Sequence, residues 1–189
     1  MKTNWQTKKL GDVCEVIAGQ SPESRFYNKS GNGLPFYQGK KEFTEKYLGE
    51  PTTWTTKITK EARKDDILIS VRAPVGPVNF ATERICIGRG LAAIRTGKEI
   101  DKDFLFDFLQ MFEDEIVGNA GAVFSSINKN QIENIEISLP SLAEQKRIVK
   151  KLDEVFERVT KVKENVEKKL VDLEELKKSV LKKAFTDKI

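Results

Sequence analysis

From Ser141 to about Ala184 the chain has neither proline nor glycine, and its apolar residues fall into a seven-residue rhythm. Leu152, Val159, Val166, Leu173 and Val180 occupy every seventh position. Val155, Val162 and Leu176 fall between them, with Lys169 and Lys183 interrupting this second seam. An a/d repeat of about four heptads is the pattern of a coiled coil. Ser141 and Glu144 have the spacing of a capping box, with Pro140 just outside it, so the helix is predicted to start there. At the helical rise, roughly 44 residues extend about 65 Å, about twice the diameter of a small domain. Such a helix is expected to project and to need a partner. No break is present that would fold it back as a hairpin. Its outer faces carry Glu154/Arg158, Glu157/Lys161, Glu164/Lys168 and Glu174/Lys178, spaced for i,i+4 ion pairs. A further apolar set lies off the seam, Phe156, Leu170, Val171, Leu181 and Phe185, more than one partner helix would cover.

The pattern before Ser141 is different. Residues 10–13 read as a helical turn, followed by a strand through Val16 and Ile17. Residues 19–33 form a loop rich in Gly, Ser, Asn and Pro. Leu34–Tyr37 is a short extended piece running into a basic turn at Lys40-Lys41. Ile67–Val71 has the β-branched content of a buried strand. A turn at 72–77 follows, then short strands at Val78–Ala81, Arg84–Ile87 and Leu91–Arg95, with Gly88-Arg89-Gly90 between the last two. Asp101 or Asp103 caps a helix whose stripe is Leu105, Phe108, Leu109, Phe112 and Ile116. Residues Gly118–Ala122 break it, a short helix covers Lys129–Ile132, and Glu136–Leu139 is a last strand. The fold class is therefore α+β: a mostly-β mixed globular domain over residues 1–141, then one long coiled-coil helix over 142–189.

Composition narrows the function. The chain has 189 residues, 39% hydrophobic and 33% charged, and a formal net charge of +4. The excess lies in the helix: residues 144–189 carry 14 Lys+Arg against 10 Asp+Glu, which leaves 19 of each for residues 1–143. The globular part is thus neutral, and nucleic-acid binding would require its cations to gather on one face. Acids do gather between Glu99 and Glu115, leaving room for a basic face elsewhere. No apolar run is long enough for a bilayer, and Met1–Gln6 lacks the apolar core of a secretory signal. Cys14 and Cys86, the only two cysteines, fit buried thiols in a reducing cytoplasm. Histidine is absent altogether, which removes the commonest general base, the triads and the usual zinc finger. Phosphate-binding glycine loops are absent as well. Glu144-Gln145-Lys146 reads as helix capping and solvated surface rather than as a nuclease motif.

Three stretches carry a resemblance. They are Lys9-Leu10-Gly11-Asp12-Val13 with Gly19-Gln20-Ser21-Pro22, Asp66–Gly76 (Asp-Ile-Leu-Ile-Ser-Val-Arg-Ala-Pro-Val-Gly), and Leu139–Ile148, which opens L-P-x-L-x-E-Q. In this order the chain resembles the specificity subunit of type I restriction–modification enzymes. The resemblance implies a target recognition domain that reads a few base pairs of double-stranded DNA, followed by a long helix. A typical member carries two such units, whose helices pair antiparallel and set the distance between two half-sites. This chain has one unit, which points to a half-length subunit that dimerises.

The resemblance also implies roles. The chain itself would be non-catalytic and bind no metal or cofactor. An adenine methyltransferase partner would bring S-adenosylmethionine, and a restriction/translocase partner ATP and magnesium. Candidate DNA contacts are Gln20, Ser21, Lys40, Arg72, Arg89, Asn128 and Lys129, donors on turns suited to phosphates or base edges. Arg72, before Ala-Pro, and Arg89, between glycines, lead that set. Phe36, Tyr37 and Trp54 are expected in the core rather than stacked on bases. Leu152, Val155, Val159, Val162, Val166, Leu173, Leu176 and Val180 would form an antiparallel homodimer seam, with Phe156, Leu181 and Phe185 left to dock partner helices. Two other classes remain open: a coiled-coil adaptor that ignores DNA, and a magnesium nuclease using Asp65, Asp66 and Glu83.

Overall fold

Leu91–Thr96 and Ile67–Ser70, the two most continuously apolar stretches before residue 141, lie side by side in the middle of a sheet, where both faces are covered. The computed structural model describes residues 5–118 and 126–186. In chain order these form β1 (Gln6–Lys9), α1 (Leu10–Val13), β2 (Cys14–Ala18), β3 (Tyr27–Asn28), β4 (Leu34–Tyr37), β5 (Trp54–Thr55), β6 (Glu61–Ala62), β7 (Ile67–Ser70), β8 (Val78–Phe80), β9 (Ile85–Ile87), β10 (Leu91–Thr96), α2 (Lys102–Gly118), α3 (Lys129–Glu133), β11 (Glu136–Leu139) and α4 (Leu142–Thr186). Short 3₁₀ turns cover Ser24–Phe26 and Lys40–Glu42.

A four-stranded antiparallel sheet has the order β2-β10-β7-β8. A five-stranded sheet has the order β3-β5-β4-β9-β6, with β4 and β9 parallel. The core lies between them: Leu68, Leu91 and Ala93 from the first sheet meet Tyr37, Ala62, Ile85 and Ile87 from the second. Helix α2 closes the β8 edge, where the Phe106 ring stacks on Phe80 at 4.6 Å between centroids. Asp101 caps this helix, its Oδ1 accepting from the Asp103 and Phe104 amides at 3.0 and 3.2 Å. The buried stripe of α2 is Phe104, Leu105, Phe106 and Leu109, while Phe108 and Phe112 stack on each other half-buried. This corrects the expected stripe: the aromatic layer over β8 draws in Phe106, which the period alone had left out. The Ile116 side chain and residues 119–122 of the expected break lie outside the described set.

β1, which hydrophobic periodicity does not predict, pairs antiparallel with β11, Gln6 opposite Leu139 and Lys9 opposite Glu136. Its four residues are all polar, and its place is set by the partner strand rather than by burial of its own side chains. Both cysteines are free and buried, and burial pushes the Cys14 thiol up to about 11.

Chain contacts divide the molecule into two units, the first ending at Lys146 and the second running from Arg147. The first turn of α4 therefore belongs to the globular unit. Ser141 Oγ accepts from the Glu144 amide at 3.4 Å, the capping bond that the spacing predicts. Gln145, expected at a solvated surface, is fully buried. Its Oε1 accepts from the Asp101 amide at 2.7 Å, and its Nε2 donates to the carbonyls of Pro140 and Glu99 at 2.9 and 3.0 Å. One side chain thus joins the starts of α2 and α4. In the second unit α4 continues without interruption to Thr186. Glu157 and Lys161 meet there at 2.5 Å, as their spacing predicts. Among the described residues, no helix is long and apolar enough to cross a membrane.

Candidate nucleic-acid interface

Five loops of the globular unit converge because their backbones bond to one another. The Gly88 amide donates to Tyr37 O at 2.8 Å and the Gly90 amide to Gln38 O at 3.0 Å, which ties residues 37–40 to the turn between β9 and β10. Val71 N donates to Gly90 O at 3.0 Å, bringing in the loop after β7. Ile127 N donates to Val71 O at 3.0 Å, and Arg72 bridges Ser126 antiparallel, which adds the segment before α3. Gly19 and Gln20 donate to Leu91 O and Ile87 O, both at 2.9 Å, adding the loop after β2. Close packing explains two of the glycines. A Cβ on Gly19 would collide with Gly88 O, and one on Gly90 would collide with Gln38 O.

These contacts open a cleft of about 270 Å³ lined by Gln38, Gly39, Lys40, Ser70, Arg72, Ala73, Arg89 and Gly90. Three of the seven sequence-predicted DNA contacts, Lys40, Arg72 and Arg89, line it together, each exposed and each from a different loop. Among the described residues these three side chains meet no carboxylate. Elsewhere in the unit Arg84 is held by Glu61 and Lys102 by Asp65, at 2.6 and 2.5 Å. Lys46 lies 3.3 Å from Asp103. Cations left unpaired in a concave site between rigid loops produce the local positive density that a neutral domain needs to attract a polyanion.

The other four candidates are placed differently. Gln20 is exposed beside the cleft, and its carbonyl accepts the Thr59 hydroxyl. The Ser21 hydroxyl accepts from the Arg89 amide at 3.2 Å and so positions the arginine turn. The nearby Tyr27 hydroxyl donates to Pro22 O at 2.8 Å, and burial pushes its phenol up. Asn128 is the N-cap of α3, its Oδ1 accepting from Gln131 N at 3.0 Å while Gln131 Oε1 accepts from Asn128 N at 2.9 Å. Lys129 pairs with Glu133 at 3.4 Å. Both lie next to the converging loops, but each already has an intrachain partner. Sequence reasoning passed over Gln38 and Ser70. The signal for Gln38 was a polar residue ending a buried strand just before a glycine and two lysines.

Two of the three acids of the nuclease reading, Asp65 and Asp66, are committed elsewhere. Asp65 pairs with Lys102. Asp66 is buried, with its two oxygens bonded to Arg95 Nε and Nη2 at 3.0 and 2.8 Å and to the Arg63 amide at 2.7 Å. Among the described residues, no three acidic, cysteine or histidine side chains converge as metal ligands. Phe36 and Tyr37 are buried and Trp54 is half-buried, so none offers an open face to a base.

The model of the type I restriction modification DNA specificity domain matches residues 2–171. The chain belongs to this family. As a specificity domain it is 44% identical, over 193 aligned residues, to the MjaX type I restriction enzyme specificity subunit of Methanocaldococcus jannaschii, covering 98% of this chain and 44% of that one. It superposes on the HsdS subunit of Thermoanaerobacter tengcongensis with a TM-score of 0.83 and 40% identity, over 100% of this chain and 46% of that one. A second superposition, with a TM-score of 0.90 and 40% identity, is on a chain from a study of complex assembly and conformational transition in the type I R-M system; it covers 100% of this chain and 47% of that one. The specificity domain described here thus spans about half the length of the relatives it matches.

Proposed function

We propose that this chain is the non-catalytic, sequence-reading component of a type I restriction–modification system. The observation that carries the reading is the cleft where Lys40, Arg72 and Arg89, from three loops, stand exposed and unpaired on a backbone framework that fixes their spacing. Double-stranded DNA is the ligand such a site suits: cations for phosphates, and arginines with the bidentate geometry that guanine presents in the major groove. Gln20, Ser21, Asn128 and Lys129 flank this surface and support it, by direct contact or by holding the loops.

Residues 142–186 supply the second half of the function. Val155, Val159, Val162, Val166, Leu173, Leu176 and Val180 are each more than two-fifths exposed, and Leu152 is half-buried. A second copy, antiparallel, is the occupant this seam fits. Each copy then reads one half of a two-fold symmetric site with an unread spacer. Phe156, Leu181 and Phe185 lie outside the seam and are also exposed. They are offered to the helices of an adenine methyltransferase, which would supply S-adenosylmethionine. A restriction/translocase subunit, with its ATP and magnesium, would join the same cytoplasmic assembly.

The test is methylation mapping in a host that carries this chain and its methyltransferase partner. A bipartite, two-fold symmetric methylated motif is expected. Absence of any motif, or a continuous asymmetric one, overturns the reading. For the pure chain, a salt-dependent duplex shift with no cleavage or methyl transfer is expected.

A further inference from the structure

The cleft holds one neutral side chain able to read a base pair, and it is not among the residues that sequence chemistry singles out. Of the eight lining residues, Gly39, Ala73 and Gly90 have no polar side chain. Lys40, Arg72 and Arg89 are cations. The Ser70 hydroxyl is engaged, donating to Arg72 O at 3.1 Å. Gln38 remains. It is exposed, and among the described residues its amide makes no hydrogen bond. Its backbone, in contrast, is held hard. The Gly90 amide bonds its carbonyl, Gly88 bonds the preceding Tyr37 carbonyl, and a Cβ on Gly88 would come within 2.9 Å of Gln38 Cα. The base of the side chain cannot shift while its tip stays free. The neighbouring Gly39 keeps the approach open, since a Cβ there would meet nothing within 4 Å. No intrachain packing requires that glycine, whereas close approach by a ligand would use it.

We propose that Gln38 is a specificity-determining residue that reads the adenine of an A·T pair as a bidentate amide, its Nε2 donating to adenine N7 and its Oε1 accepting from the N6 amino group. A carboxamide presents one donor and one acceptor side by side, the complement of adenine N7 and N6 in the major groove, which neither arginine nor lysine can match. The surrounding cations position the duplex, and Gln38 discriminates within it. This inference rests on the DNA-reading function proposed above.

The experiment is methylation mapping with the full chain and its methyltransferase partner, for wild type, Gln38→Ala and Gln38→Glu. Thermal unfolding of each variant checks that the fold is intact. Gln38→Glu keeps the shape and replaces the donor by an acceptor, so it tests readout even if the alanine variant folds poorly. In both variants one adenine-specified position in each half-site is expected to lose its preference, by about 10- to 100-fold, while the remaining positions stay fixed. An unchanged motif overturns the proposal, as does a uniform drop in methylation across the same motif, which would make Gln38 a phosphate-side or packing residue. A wild-type chain that directs no methylation sinks the DNA-reading function itself, an outcome distinct from either of these.

Discussion

The two units of this chain satisfy their side chains in opposite ways. In the globular unit the apolar residues are covered from within: Leu10, Ile67, Leu68, Ile94 and Leu105 are at most 1% exposed. Its buried polar groups, Thr55, Asp66, Ser70, Asn79 and Gln145, all have partners, and among the described residues no buried side-chain nitrogen or oxygen lacks one. In the helix from Val155 onward the apolar residues stay uncovered, with Val162 62% and Leu173 60% exposed. A core completed within the chain gives a fold that stands alone, whereas an ordered apolar stripe with nothing on it gives an element whose stability comes from association. The first unit presents loops on a rigid frame, and the second offers the open stripe on which the proposed dimer rests.

The largest effect is expected from charging the open stripe. Val166→Asp places two carboxylates in the seam of a two-fold dimer, and Val159→Asp does the same one heptad away. Each carboxylate must lose its water in the associated state. Wild type is expected to scatter light as a dimer at tens of micromolar and either variant as a monomer, with the unfolding of the globular unit unchanged. A wild-type monomer ends the dimer proposal. A variant that also unfolds the globular unit breaks the comparison, because the two units would then share stability.

Gln145→Ala tests the junction, where the helix begins inside the domain core. It strands the Asp101 amide and the carbonyls of Glu99 and Pro140. Unsatisfied buried groups cost about 1–3 kcal/mol each, and partial rescue by water lowers the sum, so a loss of about 3 kcal/mol is expected in urea unfolding. Lys146→Ala, exposed at the next position, is expected to change stability by less than about 0.5 kcal/mol. Equal effects from the two would show that the glutamine does not brace the junction.

Arg95→Ala is expected to cost somewhat less. Asp66 is buried and loses its bidentate partner, but the Arg63 amide remains and the Arg95 side chain is 23% exposed. The usual cost of about 3–5 kcal/mol for orphaning a buried charge is therefore discounted to about 2–3 kcal/mol. Lys161→Ala removes an ion pair of shorter distance in the helical unit, Glu157–Lys161 at 2.5 Å, with both side chains two-thirds exposed. No change in the melting temperature of the globular unit is expected from it. Environment, not distance, separates the two pairs.

The same contrast governs what the sequence reveals. The helix was legible to within a few residues, because a seven-residue repeat and a capping serine are local signals. The central strands were legible from their β-branched runs. The polar strand β1 was not, since its place depends on pairing with β11, more than a hundred residues away. Gln145 read as surface because a buried glutamine is identified only by its partners. At the candidate interface, turn chemistry singled out Lys40, Arg72 and Arg89. Donors on turns also included Asn128, which the structure uses as a helix cap, and Ser21, which supports Arg89. A turn residue's own chemistry does not say whether its hydrogen bonds are already taken.

The smallest effect is expected at alkaline pH and is confined to the globular unit. Tyr37 is 2% exposed and its hydroxyl donates to Gly49 O at 3.0 Å. Burial first, then the charges of Glu83, Glu42 and Glu50, push its phenol up to about 12 from an ordinary 10.0. The folded state therefore favours the protonated phenol. Its contribution is complete below pH 10 and is lost as the pH rises through about 12. The buried Cys14 thiol acts in the same sense from its ordinary 9.0 to about 11. Stability measured by urea unfolding is thus expected to be flat toward pH 9 and to fall progressively above it. Tyr37→Phe lowers stability at neutral pH by the lost hydrogen bond, about 1 kcal/mol, but makes the decline between pH 10 and 12 shallower. An equally steep decline in Tyr37→Phe would assign the alkaline loss to other groups. Dimerisation through the helix, whose seam carries no tyrosine or cysteine, is expected to show no matching step over that window.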